Sequence, residues 1–278
     1  MPRVFAEYVD DGSLWEWIQN GRLYKGGPAK ALARICDFGV QMCWGLQHAH
    51  DRGLVHQDVK SANVLIAGGE LAKVTDFGLA RACALVDPDA DADAGPGDVT
   101  NVGMTRFYCS PEQANREKLS KKTDMWSWAM SMLEMFTVKI VWYRGTEGPV
   151  ILAKFLEQSV NNPRMLPVPA ALAEVMKRCL DPDPAKRPES MDEIAGGVAE
   201  AYKSVTGQAY PRTQPRASDA LANSLNNRAL SLLDLGRSAH AEQTWATALK
   251  ADPHHPETTY NWGLFRWRSG RLTDDALL

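Results

Sequence analysis

Two short segments of the chain hold the residue types that phosphoryl transfer requires. The first is His-Gln-Asp-Val-Lys-Ser-Ala-Asn at 56–63, and the second is Thr-Asp-Phe-Gly at 75–78. They supply a carboxylate that could orient a hydroxyl (Asp58), a cation (Lys60) and two oxygen-bearing side chains (Asn63 and Asp76). Magnesium prefers such hard oxygen ligands together with substrate phosphates. The set therefore indicates phosphoryl transfer from a magnesium nucleotide.

Five motifs, in order along the chain, carry a resemblance to a known family. The segment 56–63 looks like H-R-D-x-K-x-x-N, and Asp76-Phe77-Gly78 looks like D-F-G. Ser110-Pro111-Glu112 stands where A-P-E is usual, 124–127 resembles D-x-W-S, and 179–188 is similar to the late arginine-bearing motif. Each motif alone is weak, and a lone 58–63 segment would be read as a polar turn. Together they make residues 1 to about 203 resemble the C-terminal lobe of a eukaryotic-type serine/threonine protein kinase.

The resemblance implies a role for each matching residue. Asp58 would accept the hydrogen bond of a substrate hydroxyl, and Lys60 would offset the charge of the transferring group. Asn63 and Asp76 would ligate Mg²⁺ bridging the phosphates of ATP. Thr105 matches the threonine that helps to position a serine or threonine substrate, although it could also be an ordinary solvated loop residue.

The resemblance also implies part of an adenine pocket. Glu7 and Val9 match the hinge, whose backbone groups meet adenine, and Leu65 matches the apolar floor under the ring. Val9 and Leu65 would, however, be core residues in any fold that these sequences adopt.

Two structural pairs are expected from the same resemblance. Glu112 and Arg187 should form a buried ion pair, the alternative being two unrelated surface charges. His56 should pack against Phe77, which would make His56 structural rather than a base.

The chain departs from the family pattern within these motifs. Gln57 replaces the arginine that usually pairs with a phosphate on the activation loop, and a glutamine cannot supply that charge. We therefore expect any activity to be independent of phosphorylation at a loop residue such as Thr100. Met104 stands where glycine is usual.

The sequence printed above contains no G-x-G-x-x-G and no V-A-I-K-like strand lysine before the hinge. These parts cover and grip the nucleotide phosphates in the family. We interpret the chain as an internal piece of a longer kinase-repeat protein, or as a gene product described without its flanks. By itself it is expected to lack detectable kinase activity.

The remaining sequence predicts a mainly α fold with a few short β-strands. Ser13 has the residue type of a helix N-cap. Runs at 64–66 and 72–74 flank the Gly68-Gly69 turn and predict a hairpin. Residues 124–136 are apolar on nearly every side, which predicts a helix in the middle of the core. Other helices are predicted at 14–18, 29–52, 151–158, 170–179 and 191–203, a strand at 4–9, and an acidic loop at 85–98.

The last part of the chain changes pattern. Helices are predicted at 223–235, 239–250 and 257–268, and Asn227 and Gly236 are echoed about 34 residues later by Asn261 and Gly270. That period is the tetratricopeptide (TPR) one, although the copy is imperfect at Ala276. We expect a kinase-like domain at 1–203 (hinge and C-terminal lobe only), a linker at 204–219 and TPR-like α-helical hairpin repeats at 220–278.

Composition narrows the function classes. A formal net charge of −3 and 23% charged residues, with no basic tract, argue against a nucleic-acid partner. The five scattered cysteines favour reduced, buried thiols over a disulfide framework. No apolar run reaches membrane-span length, and the first residues lack a signal-peptide pattern, so a cytoplasmic location without membrane contact is expected.

The sequence leaves competing functions open. The first is an ATP- and Mg²⁺-dependent serine/threonine phosphotransferase acting on a protein substrate, with a further protein or peptide partner at the repeats. The alternative is a catalytically inactive pseudokinase or TPR scaffold, against which the intact Asp58, Lys60, Asn63 and Asp76 argue. A pure peptide-binding repeat protein would fit only the end of the chain.

Overall fold

The structure is a computed structural model that describes residues 9–77, 81–82, 106–157, 164–215, 217–234 and 236–271. The chain divides into two compact units, one comprising 9–212 and the other containing 213–278. Each unit is treated by itself below. Several residues and segments discussed above lie outside the described residues: Glu7 with 4–8, Gly78, the loop 85–98, Thr100, Met104, Thr105 and Ala276.

The first unit is mostly helical, as the sequence predicts, with two small antiparallel strand pairs. Its strands are β1 (Leu54–Val55), β2 (Val64–Ala67), β3 (Leu71–Val74) and β4 (Arg81–Ala82), where β1 pairs with β4 and β2 with β3. Its helices are α1 (Leu14–Gln19), α2 (Pro28–His50), α3 (Pro111–Ala114), α4 (Lys121–Thr137), α5 (Gly148–Glu157), α6 (Ala170–Cys179) and α7 (Met191–Thr206).

The predicted N-cap of α1 is confirmed. The backbone N–H of Glu16 donates to Ser13 Oγ at 3.2 Å, and the Glu16 carboxylate accepts the Ser13 N–H at 2.6 Å. This reciprocal capping box satisfies two donors that the helix itself leaves unpaired. Just before α1, the carbonyl of Gly12 accepts the N–H of Ile66, so this end of the chain lies along β2.

The predicted β2–β3 hairpin is also confirmed, and α2 holds it in place. Val64 pairs with Val74 at one end of the hairpin. Gln41 of α2 donates to the carbonyl of Glu70 at 3.1 Å and accepts the N–H of Ala72 at 2.8 Å. Both backbone groups near the turn are therefore satisfied by one buried side chain, which fixes the hairpin against the helix.

Helix α4 occupies the middle of the core, as its apolar pattern predicts. Trp126 and Trp128 are fully buried, and the Trp128 indole N–H donates to the carbonyl of Gly39 in α2 at 3.1 Å. A Cβ at Gly39 would lie 3.0 Å from the Met132 side chain. Glycine thus allows α2 and α4 to approach closely, and α4 becomes a rigid support for the loops that contact it.

The described cysteines agree with the expectation of buried thiols. Cys36, Cys43, Cys109 and Cys179 are all buried and free of disulfides. Burial raises the pKa of the Cys36 thiol to about 12, so it stays protonated near neutral pH. In the described part of the chain, no helix combines the length and apolar character needed to cross a membrane.

After α7, residues 207–212 form a strap that returns across α2. The Arg212 guanidinium donates to both carboxylate oxygens of Asp37, at 2.8 and 3.0 Å, and to the carbonyl of Gly69 at 3.0 Å. The Tyr210 hydroxyl donates to Asp37 at 2.6 Å. The first unit therefore extends through Arg212, and the strap is bonded to the turn of the β2–β3 hairpin.

The second unit contains the helices α8 (Ala217–Asp234), α9 (Ser238–Ala251) and α10 (Pro256–Arg268). The sequence predicts α9 and α10 to within one residue at each end, whereas α8 begins six residues before its predicted start, inside the predicted linker. Trp245 is fully buried among them, and its indole N–H donates to Asn226 Oδ1 at 3.0 Å. Asn261 donates to the same oxygen at 3.2 Å, which ties α10 to α8. Their assignment to a TPR repeat stays a prediction.

The strap should contribute to the stability of the first unit. Arg212→Gln removes the charge that pairs with buried Asp37, so calorimetry should show a loss of about 1–2 kcal/mol in the free energy of unfolding of this unit. Arg237→Gln, at an exposed position of the other unit, is the matched control. Equal effects of the two substitutions would contradict a stabilising role for the strap.

Candidate active site

Asp124, in the first turn of α4, fixes the segment 56–63. Its Oδ2 accepts the backbone N–H of His56 at 2.9 Å, and its Oδ1 accepts the N–H of Gln57 at 2.8 Å. Oδ2 also contacts His50 Nε2 at 2.7 Å. Asp124 is wholly buried, so these bonds compensate for the loss of water around its carboxylate. We call residues 56–63 the catalytic loop, after the resemblance described above.

His56 is a structural residue of this loop, as predicted. Its Nδ1 accepts the N–H of Asp58 at 3.3 Å, and its Nε2 faces the carbonyl of Thr75 at 2.9 Å. Because a carbonyl only accepts, Nε2 must carry the proton and Nδ1 the lone pair. The ring also packs against Phe77 at a centroid distance of 4.5 Å, which confirms that prediction. Both ring nitrogens are engaged, so His56 is not placed to act as a base.

Three of the predicted site residues meet within the loop. Asp58 Oδ2 contacts Lys60 Nζ at 2.5 Å and accepts from Asn63 Nδ2 at 3.2 Å. Asn63 Nδ2 also donates to the backbone carbonyl of Asp58 at 2.9 Å. Asp58 and Asn63 are buried and Lys60 is half-buried. One carboxylate oxygen of Asp58 therefore contacts both the ammonium group of Lys60 and the side-chain amide of Asn63.

Asp76 is linked to this cluster through the hairpin. The N–H of Thr75 donates to the carbonyl of Asn63 at 2.9 Å, just beyond the Val64–Val74 pair. Asp76 follows directly, has a φ of 62° and is exposed. This left-handed backbone is uncommon for a residue with a side chain, and it turns the chain as it leaves the strand.

The donor set of Asn63 and Asp76 fits a magnesium ion. Among the described residues, both hydrogen bonds of the Asn63 side chain use Nδ2, so no described group occupies its carbonyl oxygen, which can serve as a ligand. Asp76 contributes an exposed carboxylate on the neighbouring segment. Two hard oxygen ligands, with the rest supplied by phosphates and water, match what Mg²⁺ accepts.

The other predicted site residues are placed less completely. Leu65 is half-buried in β2, between the buried Val64 and Ile66, so its side chain points to the opposite face of the strand. Its backbone lies opposite Ser13 in an isolated bridge, next to the segment that contains half-buried Val9. Glu7 and Thr105 are outside the described residues, so the adenine pocket and the substrate threonine stay predictions.

The predicted ion pair of Glu112 and Arg187 is confirmed. Nη1 and Nη2 of Arg187 donate to the two oxygens of Glu112 at 2.7 and 2.9 Å, and Arg187 is 2% exposed. Arg187 also lies over the Trp126 ring at 5.0 Å. Burial by itself would raise the pKa of Glu112, but the hydrogen bonds and charge of Arg187 lower it overall. The pair anchors α3 to the segment after α6.

A second polar chain links the loop to α4. The Tyr108 hydroxyl donates to Glu134 Oε2 at 2.6 Å and lies 3.5 Å from Ser61 Oγ in the catalytic loop. Burial raises the pKa of the Glu134 carboxyl, although the hydrogen bonds from Ser61 and Tyr108 oppose this. The underside of the loop therefore rests on hydrogen bonds as well as on apolar contacts.

Two of these positioning residues were not assigned that role from the sequence. Asp124 was recognised only as part of a motif, and Gln113 was not singled out. Ser110-x-x-Gln113 is a capping-box pattern that could have been noticed. Gln113 also donates from Nε2 to the carbonyl of Gln57 at 2.8 Å. This contact arises only from the tertiary structure, so the capping-box pattern does not reveal it.

The family assignment rests on residues 2–196. This range matches a family model described as protein tyrosine and serine/threonine kinase. The chain belongs to this family. The match contains the catalytic loop, Asp76 and the Glu112–Arg187 pair, which supports reading their geometry as that of a protein kinase. Members of the kinase family use ATP and Mg²⁺ and act on proteins.

The conformation of the catalytic loop should depend on the carboxylate of Asp124. Asp124→Asn keeps the shape but offers one accepting oxygen, so one of the N–H groups of His56 and Gln57 loses its partner. We expect a loss of about 2–4 kcal/mol in the free energy of unfolding, measured in urea. Asp183→Asn, which affects an exposed 3.0 Å bond to the Ala185 N–H, is the control. A loss no larger than that of the control would show that Asp124 does not anchor the loop.

The Glu112–Arg187 pair predicts acid sensitivity. The folded-state pKa of Glu112 is lowered from its ordinary value of 4.5, so its stabilising contribution is present above that pH. The contribution is lost as the pH falls through the lowered folded-state pKa. The difference in unfolding free energy between wild type and Glu112→Gln should therefore shrink on acidification from pH 6. Parallel curves for the two proteins would contradict the assigned shift.

Proposed function

We propose that the kinase domain is an ATP:protein serine/threonine phosphotransferase. The observation that carries the proposal is the meeting of Lys60 and Asn63 on one oxygen of Asp58, with Asp76 one residue beyond the Thr75–Asn63 hydrogen bond. A carboxylate, a cation and two magnesium ligands are the parts that phosphoryl transfer to a hydroxyl needs.

Each residue has a distinct part in this mechanism. Asp58 accepts the hydrogen bond of the attacking hydroxyl and orients it, held in place by the backbone contacts of the loop. Lys60 lies beside Asp58 and offsets negative charge as the phosphoryl group is transferred. Asn63 and Asp76 would hold Mg²⁺, which would offset the negative charge of the phosphates. ATP would supply the γ-phosphoryl group.

The choice of serine or threonine rests on the loop chemistry. A lysine at the position of Lys60 resembles serine/threonine kinases, whereas tyrosine kinases usually carry a different loop. Thr105 would help to position the substrate hydroxyl. Glu7, Val9 and Leu65 would contact the adenine, with Leu65 on the outward face of β2.

The second unit is proposed to bind a protein or peptide partner through TPR-like repeats. Three consecutive helices pack around Trp245, whose indole bonds to Asn226, and this supports a helical-hairpin arrangement. We propose the boundaries 1–203 for the kinase-like domain, 204–219 for the linker and 220–278 for the repeats, with the strap 207–212 of the linker packed on the first unit. No nucleic-acid partner is proposed, in keeping with the chain's slightly acidic charge.

Nucleotide binding is the direct test of the proposed site. Saturating Mg²⁺-ATP should raise the melting temperature of the chain, since a ligand at 100 times its Kd stabilises by about 2.7 kcal/mol. Asp76→Asn should abolish the shift by weakening the metal site. Asp51→Asn, at an exposed position of the same unit, should retain it.

The outcomes separate binding from chemistry. Asp58→Asn should keep the thermal shift, because Asp58 is assigned to the hydroxyl and not to the nucleotide. A shift that persists in Asp76→Asn would place the nucleotide elsewhere. No shift in wild type would favour a scaffold without nucleotide chemistry.

A further inference from the structure

The short helix α3 is bonded to two different parts of the molecule through adjacent residues. Glu112 pairs with buried Arg187, which anchors the helix to the segment after α6. The next residue, Gln113, reaches the catalytic loop, where its Nε2 donates to the carbonyl oxygen of Gln57 at 2.8 Å. Gln113 is 5% exposed, so the donor end of this bond is largely removed from water. Helix α3 therefore connects the segment after α6 to the catalytic loop.

The two ends of the Gln113 amide do different work. Its Oε1 accepts the backbone N–H of Ser110 at 3.1 Å and the Ser110 hydroxyl at 3.3 Å, which caps α3. Its Nε2 is used for Gln57. A glutamate, the other common residue at this place in a capping box, would supply the cap but not the donor. Capping of α3 therefore does not require the Nε2 donor, which is used for the hydrogen bond to Gln57.

The bond from Gln113 acts on the peptide group that joins Gln57 to Asp58. The carbonyl of this peptide accepts from Gln113, and its N–H donates to His56 Nδ1 at 3.3 Å. Gln57 has a φ of 68°, a left-handed conformation that is uncommon for a residue with a side chain, and its own N–H is held by Asp124. The next peptide, between Gln57 and Asp58, can rotate about the Gln57 Cα–C and Asp58 N–Cα bonds, and such a rotation would change the direction of the Asp58 side chain. The hydrogen bonds at its carbonyl and its N–H both oppose that rotation.

We infer that Gln113 is a positioning residue, which locks the Gln57–Asp58 peptide and so aims Asp58. This inference rests on the proposed function, because it assigns a purpose to the aim of Asp58. The lock is uncharged and joins the end of the Ser110–Glu112 motif to the loop directly. It holds the loop where Gln57 offers no charge for a phosphate, which deepens the expectation of phosphorylation-independent activity.

Amide hydrogen exchange in the whole chain, without nucleotide, tests the lock. Gln113→Glu keeps the accepting oxygen of the cap but removes the donor to Gln57. Exchange at the N–H groups of Gln57 and Asp58 should accelerate by about tenfold, as expected when a buried carbonyl loses its partner. Exchange within α9, in the other unit, should stay unchanged. Gln113→Met, which has no donor in any protonation state, should accelerate the same amides.

Two control substitutions separate the lock from the cap and from charge. Ser110→Ala removes the hydroxyl of the cap and leaves Gln113 Nε2 in place, so exchange at Gln57 and Asp58 should match wild type. Asn115→Asp makes the same change of charge at an exposed position at the end of α3. It too should leave these amides protected. A merely structural role for Gln113 would lower the melting temperature without this local pattern.

The inference is overturned if Gln113→Glu and Gln113→Met leave exchange at Gln57 and Asp58 at the wild-type rate. It is also overturned if Ser110→Ala accelerates those amides as much as either substitution. Because this measurement needs neither ATP nor catalysis, it can fail while the Mg²⁺-ATP titration succeeds. The titration can likewise fail while the lock is observed, so the two proposals are tested separately.

Discussion

The structure depends most on the buried carboxylate of Asp124. A charge with no exposure to water is costly unless several donors surround it. Here the donors are the backbone N–H groups of His56 and Gln57, together with His50. Because the buried Asp124 carboxylate must be hydrogen-bonded, it holds the backbone of the catalytic loop in place at His56 and Gln57. Since α4 is buried along nearly its whole length, the loop inherits the rigidity of the core.

Further tethers define the rest of the site relative to that loop. The Thr75–Asn63 hydrogen bond fixes the end of β3, which Asp76 follows, and Gln41 holds the same hairpin against α2. The Glu112–Arg187 pair holds α3 against the segment after α6. Each tether satisfies buried polar groups, so loss of any one leaves a group unpaired as well as a contact broken. The hydrogen bonds that satisfy these polar groups are therefore also the bonds that position the site residues.

Local patterns predicted much of this fold, because they report interactions close in sequence. The cap at Ser13, the hairpin around Gly68-Gly69 and the buried helix around Trp126 follow from residue types and periodicity. The Glu112–Arg187 pair came from resemblance and not from pattern. The bonds of Asp37 to Arg212 and of Gln113 to Gln57 could not be predicted, since their partners are far apart in sequence and meet only after folding.

The central claim is that the catalytic loop and the segment after β3 form one site for a divalent cation and a nucleotide. Paramagnetic broadening by Mn²⁺ with ADP, measured on the ¹⁵N-labelled chain, tests it most directly. The account predicts that the side-chain amide of Asn63 and the backbone amide of Asp76 broaden first. Broadening confined to exposed acidic residues such as Asp10, with Asn63 unaffected, would contradict it.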